Sequence, residues 1–546
     1  MKHMIKPDFL VLVRVFKFIS FLSFFSVSVF GDKLSSDDFY DREKVQEIRL
    51  EISELNLIKM NEALPVRKFV PATLQWRNIK LKNVGVRYKG NSSSQVNQKH
   101  KRGYLIKVNE LEKGERFLKL RRIALDNGVQ FGSLFSEPIV TDILRDLNIP
   151  SSRFNYAKLY INNEYKGVYG NVERIDESFI KSQFGSKSGA LFKVHMPGPG
   201  TNFAYVGDDI AQYKKGFEAK NKVAENSFDE LIKFIQVADK SDKPKYEEML
   251  NKYLMLDHFL KITAVMLFSG CFDQLTGWNP HNYYLYRNPK TDLWSYIPWD
   301  LDVGFADRAF GRIPVVDGWH AAWPIAGGPP KPILENIVTD SNLLRKYRET
   351  ASLILEKYFK PESLHSRFDS LYSLIRHDLE RDPFPKRRIT NPDDKGYDDI
   401  LNKLKQFSTR RYKLARKQLD SPGQRPKPHP GYKPKDHRNP SPGNAPNGPT
   451  NLQLISFNQN KVKLQWKDNA ENEAGHIVQR ASLETNWEFR NHIPRPGGSE
   501  IQALDDRVIM GQKYRYRVYA VFQSQNGMIG SQPSGIVEIT SKKTIK

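Results

Sequence analysis

At 546 residues the chain is too long for one compact domain, and two or three folding units are expected. Apolar residues at 39% and aromatics at 12% can fill sizeable cores, which excludes a wholly disordered chain. The single cysteine, Cys271, excludes a disulfide framework, a CxxC pair and a Cys-rich zinc site; 85 basic against 62 acidic residues, a net of +23, favour acidic partners such as nucleotide phosphates, an anionic cell surface, acidic protein or nucleic acid. The plain alternative is a soluble protein with a basic surface.

Lys2, Lys6, Arg14 and Lys17 precede an apolar stretch from Phe18 to Phe30, and the chain turns polar at Gly31-Asp32-Lys33. That order predicts a secretory signal over 1–31, cut after Gly31, in place of a membrane anchor. Arg14 and Lys17 leave fewer apolar residues than the roughly 20 a span requires. No later run approaches that length, so the expectation is an exported protein without a transmembrane segment once the signal is removed.

Strand-like segments follow at Val45–Ile52, Phe69–Leu74, Val84–Lys89 and Tyr104–Val108, with Phe117–Leu120 weaker. A helix is predicted over Ser136–Leu147, capped by Ser136, with Pro138 in its first turn and ended by Asn148 and Pro150. Strands at Tyr156–Ile161 and Gly167–Glu173 flank the turn Asn162-Asn163-Glu164. Ser227 and Glu230 suggest a capping box, and Pro244 opens a longer helix running to Phe268 and stopping at Ser269-Gly270. Strands first and helices later make an α+β arrangement of two lobes over 35–420. Its last segment, Asn391–Leu419, carries Lys403, Lys405, Arg410, Arg411, Lys413, Arg416 and Lys417 beside Leu401, Leu404, Phe407 and Leu414. A final helix with a basic outer face fits best, and a docking surface for acidic substrate is the sharper alternative.

Between 421 and 448 proline and glycine dominate, so the chain is a stiff spacer. Beyond it, 449–541 reads as short strands, with apolar residues alternating at Val462, Leu464 and Trp466 and again from Tyr514 to Val521. That is an all-β sandwich. It resembles a fibronectin type III domain, in which Trp466 lies on the second strand and Tyr514 takes the tyrosine-corner position.

For chemistry, HExxH, Walker A and GxGxxG patterns are missing, and Gly185-Ser186-Lys187-Ser188-Gly189 has lysine where a nucleophile elbow needs serine. The informative stretch is 271–305. Asn282–Arg287 and Leu293–Pro298 read as a hairpin around Asn288-Pro289-Lys290-Thr291-Asp292. A turn centred near Lys290 sets Asn282 opposite roughly Pro298, close enough to Asp300 to share a cation. Asp302 shares a face with Asp300 if the chain stays extended. Asp273 sits in the loop ahead of the hairpin. A carboxylate, an asparagine, a hairpin and a second carboxylate is the arrangement of protein kinases, and such oxygen donors suit Mg²⁺. The competing reading is an ordinary turn, since Asp and Asn are common in loops. A glycosidase pair fares worse, because nothing sets Asp300 and Asp302 on opposite sides of a sugar. Cys271 reads as a buried thiol.

"FVPATL", "VGVRYKGNSS", "LYINNEYKGVYGNVERIDESFI", "GALFKV", "HNYYLY" and "IPWDLDVGF" occur in the order found in the spore-coat protein H (CotH-type) kinases, secreted bacterial proteins that residues 69–305 resemble. The resemblance implies a two-lobed atypical protein-kinase-like fold and transfer of phosphate from ATP, with Mg²⁺ or Mn²⁺, to Ser or Thr of extracytoplasmic proteins. It implies Asp273 as catalytic base and Asn282, Asp300 and Asp302 as metal ligands. For the nucleotide it implies Arg87, Lys89 and the turn containing Ser92, with Lys107 as the nucleotide lysine and Glu173 as its acidic partner. Lys119 and Lys193 rival Lys107, and Asn279 rivals Asn282. For each of these basic residues a solvated surface role is the bland alternative. Asn282 follows Asp273 by nine positions, where ordinary protein kinases have five. The expected location is secreted, periplasmic or cell-surface. The sandwich offers a site for a cell-surface or matrix ligand, and no nucleic-acid partner is expected. The rival class is a non-catalytic adhesion or matrix protein that retains the fold.

Overall fold

The computed structural model describes residues 34–540 apart from 91–93, 95–99, 241–244, 278–279, 310–312, 317–318, 326–329, 385–387, 392, 427–441, 459–460, 483–486, 495–498, 506–507, 509–512 and 525–526. The expected signal, Ser92, Asn279, Pro244 and most of the spacer lie outside the described residues.

Alternation of apolar and polar residues builds the first body. Strands β1 (Gln46–Glu51), β2 (Val70–Trp76), β3 (Ile79–Lys89), β4 (Gly103–Lys107) and β5 (Arg122–Asp126) pair in sequence. Helix α1 (Ser136–Asp146) then leads to β6 (Phe154–Ile161) and β7 (Glu164–Val172). The sheet closes into a barrel, because β7 pairs with β5 and β6 runs parallel to β1. Ile48, Leu50, Leu74, Trp76, Val86, Ile106 and Leu159 fill its interior. Two sequence expectations change. Phe117–Leu120 is a tight turn, with Leu118 and Lys119 at positive φ and one bridge across it, so it adds no strand. Ser136 does not cap α1: its hydroxyl donates instead to the Leu301 carbonyl at 2.7 Å.

A second core forms around a four-stranded sheet, ordered β11 (Trp294–Pro298), β10 (Tyr283–Arg287), β8 (Leu191–Val194) and β9 (Phe217–Ala219). Apolar helix α2 (Leu256–Ser269) packs in this core and ends at Gly270 in the left-handed conformation. The single long helix expected up to Phe268 is broken. Tyr253, Leu254 and Met255 leave helical geometry to pair with Trp294, the Trp294 N–H donating to the Tyr253 carbonyl and the Met255 N–H to the Trp294 carbonyl. Helices α3 (Ser341–Tyr358), α4 (Pro361–Glu380) and α5 (Tyr397–Asp420) complete the body, a mixed α/β structure with several sheets.

Helix α5 buries Leu401, Leu404 and Phe407 as its spacing predicts, but Leu414 is only half-buried, Ala415 takes the core position, and Arg411 turns inward while the other basic residues face outward. Neighbouring acids meet most of those bases: Asp394 and Asp399 at Lys403, Asp369 at Lys405, Asp307 at Arg410 and Glu356 at Arg416. Arg411 is buried and donates to the carbonyls of Val316 and Trp319. This internal pairing favours a structural role for the helix over a docking surface. The spacer is anchored at its start, since Pro422 accepts from the Trp323 indole and Arg425 pairs with Glu335 at 2.5 Å. Beyond it, two sheets face each other across a core of Val462, Leu464, Trp466, Ile501, Val478, Tyr514, Tyr516 and Val518.

Candidate functional site

The β10–β11 hairpin decides the site. Tyr283 pairs with Pro298 and Arg287 with Trp294, so partner numbers sum to 581. Asn282 therefore lies opposite Trp299, whose N–H donates to the Asn282 carbonyl at 2.9 Å, and Asp300 is the next residue. Asn282 (φ 57°) and Asp300 (φ 62°) are both left-handed, a conformation that Asn and Asp tolerate best after Gly. At both ends of the hairpin the chain thus leaves the strand at a residue with oxygen ligands. The Asn282 amide has no hydrogen-bond partner among the described residues.

Because Asp300 is left-handed, the chain is not extended there, and Asp300 and Asp302 do not line up as a continued strand would place them. Asp300 is half-buried and Asp302 is buried. The segment is held against α1. The Gly132 N–H donates to the Asp302 carbonyl at 2.7 Å, and the Leu301 carbonyl accepts from the Ser136 hydroxyl at the start of α1. Gly304 permits this approach, since a Cβ there would stand 2.4 Å from Ser136 Oγ.

Three carboxylates and one lysine meet the hairpin end. Lys89, the last residue of β3, bonds Asp126, the last of β5, at 2.6 Å. Burial opposes the Lys89 charge, but Asp126 and then Asp300 outweigh it and raise its pKa. Burial likewise acts to raise the Asp126 pKa, and Lys89 with the Gly128 N–H brings it below the ordinary carboxylate value. Glu137, in the first turn of α1, is pushed up to about 8 by burial, Asp126 and Asp300. Burial, Asp300, Asp126 and Glu137 raise Asp302 well above the usual range. Hard oxygens crowded this way suit a divalent cation, which relieves their repulsion. Among the described residues no three His, Cys, Asp or Glu side chains converge on a cation by themselves. The Asn282 amide and phosphate oxygens would have to complete its shell.

Asp273 precedes Gln274, whose buried amide fastens the loop to the hairpin mouth. Gln274 donates to the carbonyls of Asn282 (3.1 Å) and Trp299 (2.8 Å) and accepts from the Tyr296 hydroxyl (3.2 Å). His281 Nε2 lies 3.7 Å from Asp273. Cys271 is fully buried, and burial pushes its thiol up to about 12, so it is the inert thiol its context suggests.

The expected pair Lys107–Glu173 is not formed. Lys107, on β4, pairs with Glu110, and Glu173 is buried against Arg153 through bonds of 2.9 and 2.6 Å. Lys119 sits in the 117–120 turn. Arg87 stacks on Phe69 at 5.1 Å and donates to the Tyr88 carbonyl. Lys193, on β8, lies across from Tyr284. Asp126 and Glu137 are the site residues that sequence reasoning missed. Their only signal was an acid at a strand end, "ALDNG", and another in the first turn of a helix.

A buried lysine held among carboxylates, beside a hairpin bearing an amide and an acid at its two ends, is a kinase-like arrangement. Residues 86–415 match the family described as CotH kinase protein. The chain belongs to the CotH kinase family. It is 24% identical over 332 residues to the inner spore coat protein H of Bacillus subtilis (strain 168), covering 59% of this chain and 84% of that protein. Two solved structures are similar over 18% of this chain, each with a TM-score of 0.15: the twitchin kinase region of C. elegans (14% identity, 17% of that chain) and an FN3 domain of human collagen XX (12% identity, 97% of that chain).

Proposed function

We propose that this protein is an exported protein kinase that transfers phosphate from ATP to Ser or Thr of extracytoplasmic proteins with the help of Mg²⁺ or Mn²⁺. One observation carries the reading. The hairpin register sets Asn282 opposite Trp299 and so brings its amide beside Asp300, the next residue, at the mouth where Lys89 meets Asp126. Asn282 and Asp300 would hold the cation, with Asp302 beneath them. A cation bound there would neutralise charge on the transferring phosphate. Lys89, positioned by Asp126, supplies fixed positive charge next to the same oxygens. Asp273 orients the acceptor hydroxyl and takes its proton, and Gln274 holds the loop that presents it. Supporting export are the basic-apolar-polar N-terminus and the spore-coat name of the Bacillus relative. The C-terminal sandwich, read as a fibronectin type III module over 449–541, would tether the enzyme to a surface or matrix ligand. No helix among the described residues is long and apolar enough to cross a membrane.

The test is autophosphorylation, or transfer to a Ser-rich basic protein, with Mg²⁺ or Mn²⁺. Asp300→Ala should abolish transfer, and Asn282→Ala should weaken it while raising the metal requirement. Asp302→Ala should match Asp300→Ala if both acids bind metal, and be milder if Asp302 only supports Asp300. Asp273→Asn should lower turnover and spare nucleotide binding. Full activity in a folded Asp300→Ala protein would sink the assignment, and a wild type inactive with every metal would favour a non-catalytic adhesion protein.

A further inference from the structure

Asp300 also acts on basic groups outside the Lys89 cluster, gathered without counter-ions among the described residues. Arg87 comes from β3 of the barrel, Arg174 from the two residues after β7, and Lys193 from β8 of the second sheet. Among the described residues none of the three forms an ion pair with a carboxylate, although nearby bases do. Glu218, which faces Lys193 across the sheet, bonds Lys220 at 2.7 Å, and Asp176 lies 3.6 Å from Arg122. Arg174 acts electrostatically on each of the other two. Burial and then Arg174 lower Lys193 to about 7, and burial with Arg67, Arg174 and Arg122 lowers Arg87 to about 10.

Their surroundings fix them in place. The Arg174 guanidinium lies 4.7 Å over the Trp299 ring, next in sequence to Asp300, and its Nε is buried with no partner among the described residues. The Lys193 ammonium lies 5.6 Å over the Tyr284 ring, which packs edge-on against Trp299 at 6.3 Å. Tyr284 is fully buried, and its hydroxyl also has no hydrogen-bond partner among the described residues. Recessed like charges with orphaned donors beside them cost stability unless an anion enters.

We propose that Arg174 and Lys193 form a seat for phosphoryl groups and grip the polyphosphate tail of a nucleotide. The seat rests on the kinase reading for its occupant, and its chemistry is that of any phosphate ester. A phosphorylated acceptor is the other source. The nucleotide is favoured because the bases are recessed between the barrel and the second sheet, beside the acid that faces the cation. Guanidinium and ammonium donors converging from two bodies match several phosphate oxygens at once.

The experiment is calorimetric titration of the full chain with inorganic tripolyphosphate in EDTA, which needs neither metal nor catalysis. Wild type should bind. Lys193→Met and Arg174→Gln should each weaken binding roughly 10- to 100-fold, the loss expected for a charge-assisted bond. Lys413→Met, on the exposed face of α5, should change nothing. Arg174→Gln keeps the test decisive if Lys193→Met melts early, because Arg174 is half-exposed just after its strand. Wild-type affinity in both folded variants overturns the seat, as does failure of wild type to bind tripolyphosphate. Binding of a phosphoserine peptide in place of tripolyphosphate and ADP overturns the nucleotide assignment. A protein that binds tripolyphosphate through these residues yet transfers no phosphate keeps the seat and loses the kinase reading. One that transfers phosphate with an unchanged KM for ATP in both variants keeps the kinase and loses the seat.

Discussion

Replacing Lys89 by Met tests whether the acidic cluster depends on one internal cation. The Lys89 and Asp126 side chains are 15% and 13% exposed and lie 2.6 Å apart. Removing the lysine leaves Asp126 with no ion-pair partner beside Glu137, Asp300 and Asp302. Breaking a buried pair from one side costs about 3–5 kcal/mol, since the remaining charge is uncompensated. Removing both partners in Lys89→Met/Asp126→Leu should return most of that, to within about 2 kcal/mol of wild type. The sign with pH follows from the two shifts. The raised Lys89 pKa gives stability that is present below the unfolded value of 10.5 and lost above it. The lowered Asp126 pKa gives stability that is present above 3.8 and lost as pH falls through its folded value. The Lys89–Asp126 part of the deficit should therefore be flat across neutral pH. The whole deficit should widen toward pH 8, where Glu137 ionises without the lysine that holds its pKa down. Urea unfolding of the full chain, followed by tryptophan fluorescence at pH 6, 7 and 8, measures it. Phosphate transfer should be lost in both variants, although only one is badly destabilised. A Lys89→Met protein within about 1 kcal/mol of wild type would refute the claim that Lys89 neutralises the cluster.

Gln274→Leu leaves the Trp299 carbonyl without its donor and the Tyr296 hydroxyl without its acceptor, removes one of the two donors to the Asn282 carbonyl, and should cost about 2–4 kcal/mol in urea unfolding. It should also lower kcat more than it raises the KM for ATP, and an unchanged kcat would show that the loop holds Asp273 without this amide. Cys271 should resist iodoacetamide at pH 8 in the folded protein and react once urea is added, as mass spectrometry would show. Because its thiol titrates near 12 when folded and near 9 when unfolded, stability should fall as pH rises through that interval. Rapid alkylation of native protein at pH 8 would contradict the burial. Cutting the spacer between 427 and 441 should leave the N-terminal fragment able to bind ATP, and loss of binding on clean cleavage would show that the sandwich contributes to the site.

The hairpin was legible in the sequence because its information is local. Two aromatic runs of period two around "NPKTD" determine the pairing, and the register differs from the central estimate by one in the sum of partner numbers. Asn282 and Asp300 fall together as a consequence. The barrel strands and the basic outer face of α5 were legible for the same reason, since alternation and helical spacing reflect which face meets water. Which lysine matters was not legible. Lys89, Lys107, Lys119 and Lys193 are equivalent as letters, and only the folded chain separates them, setting Lys89 against Asp126 while Lys107 takes the nearby Glu110. Asp126 and Glu137 likewise stand 174 and 163 positions before Asp300, and α1 brings Glu137 to the hairpin exit through the bond of its neighbour Ser136 to the Leu301 carbonyl. The break ahead of α2 has the same origin, because Trp294 claims the backbone of residues 253–255 that local propensity would leave helical. Periodicity determines the elements, and charge pairing across long separations is set only when the elements pack, because a buried charge takes whichever partner the folded chain brings within reach.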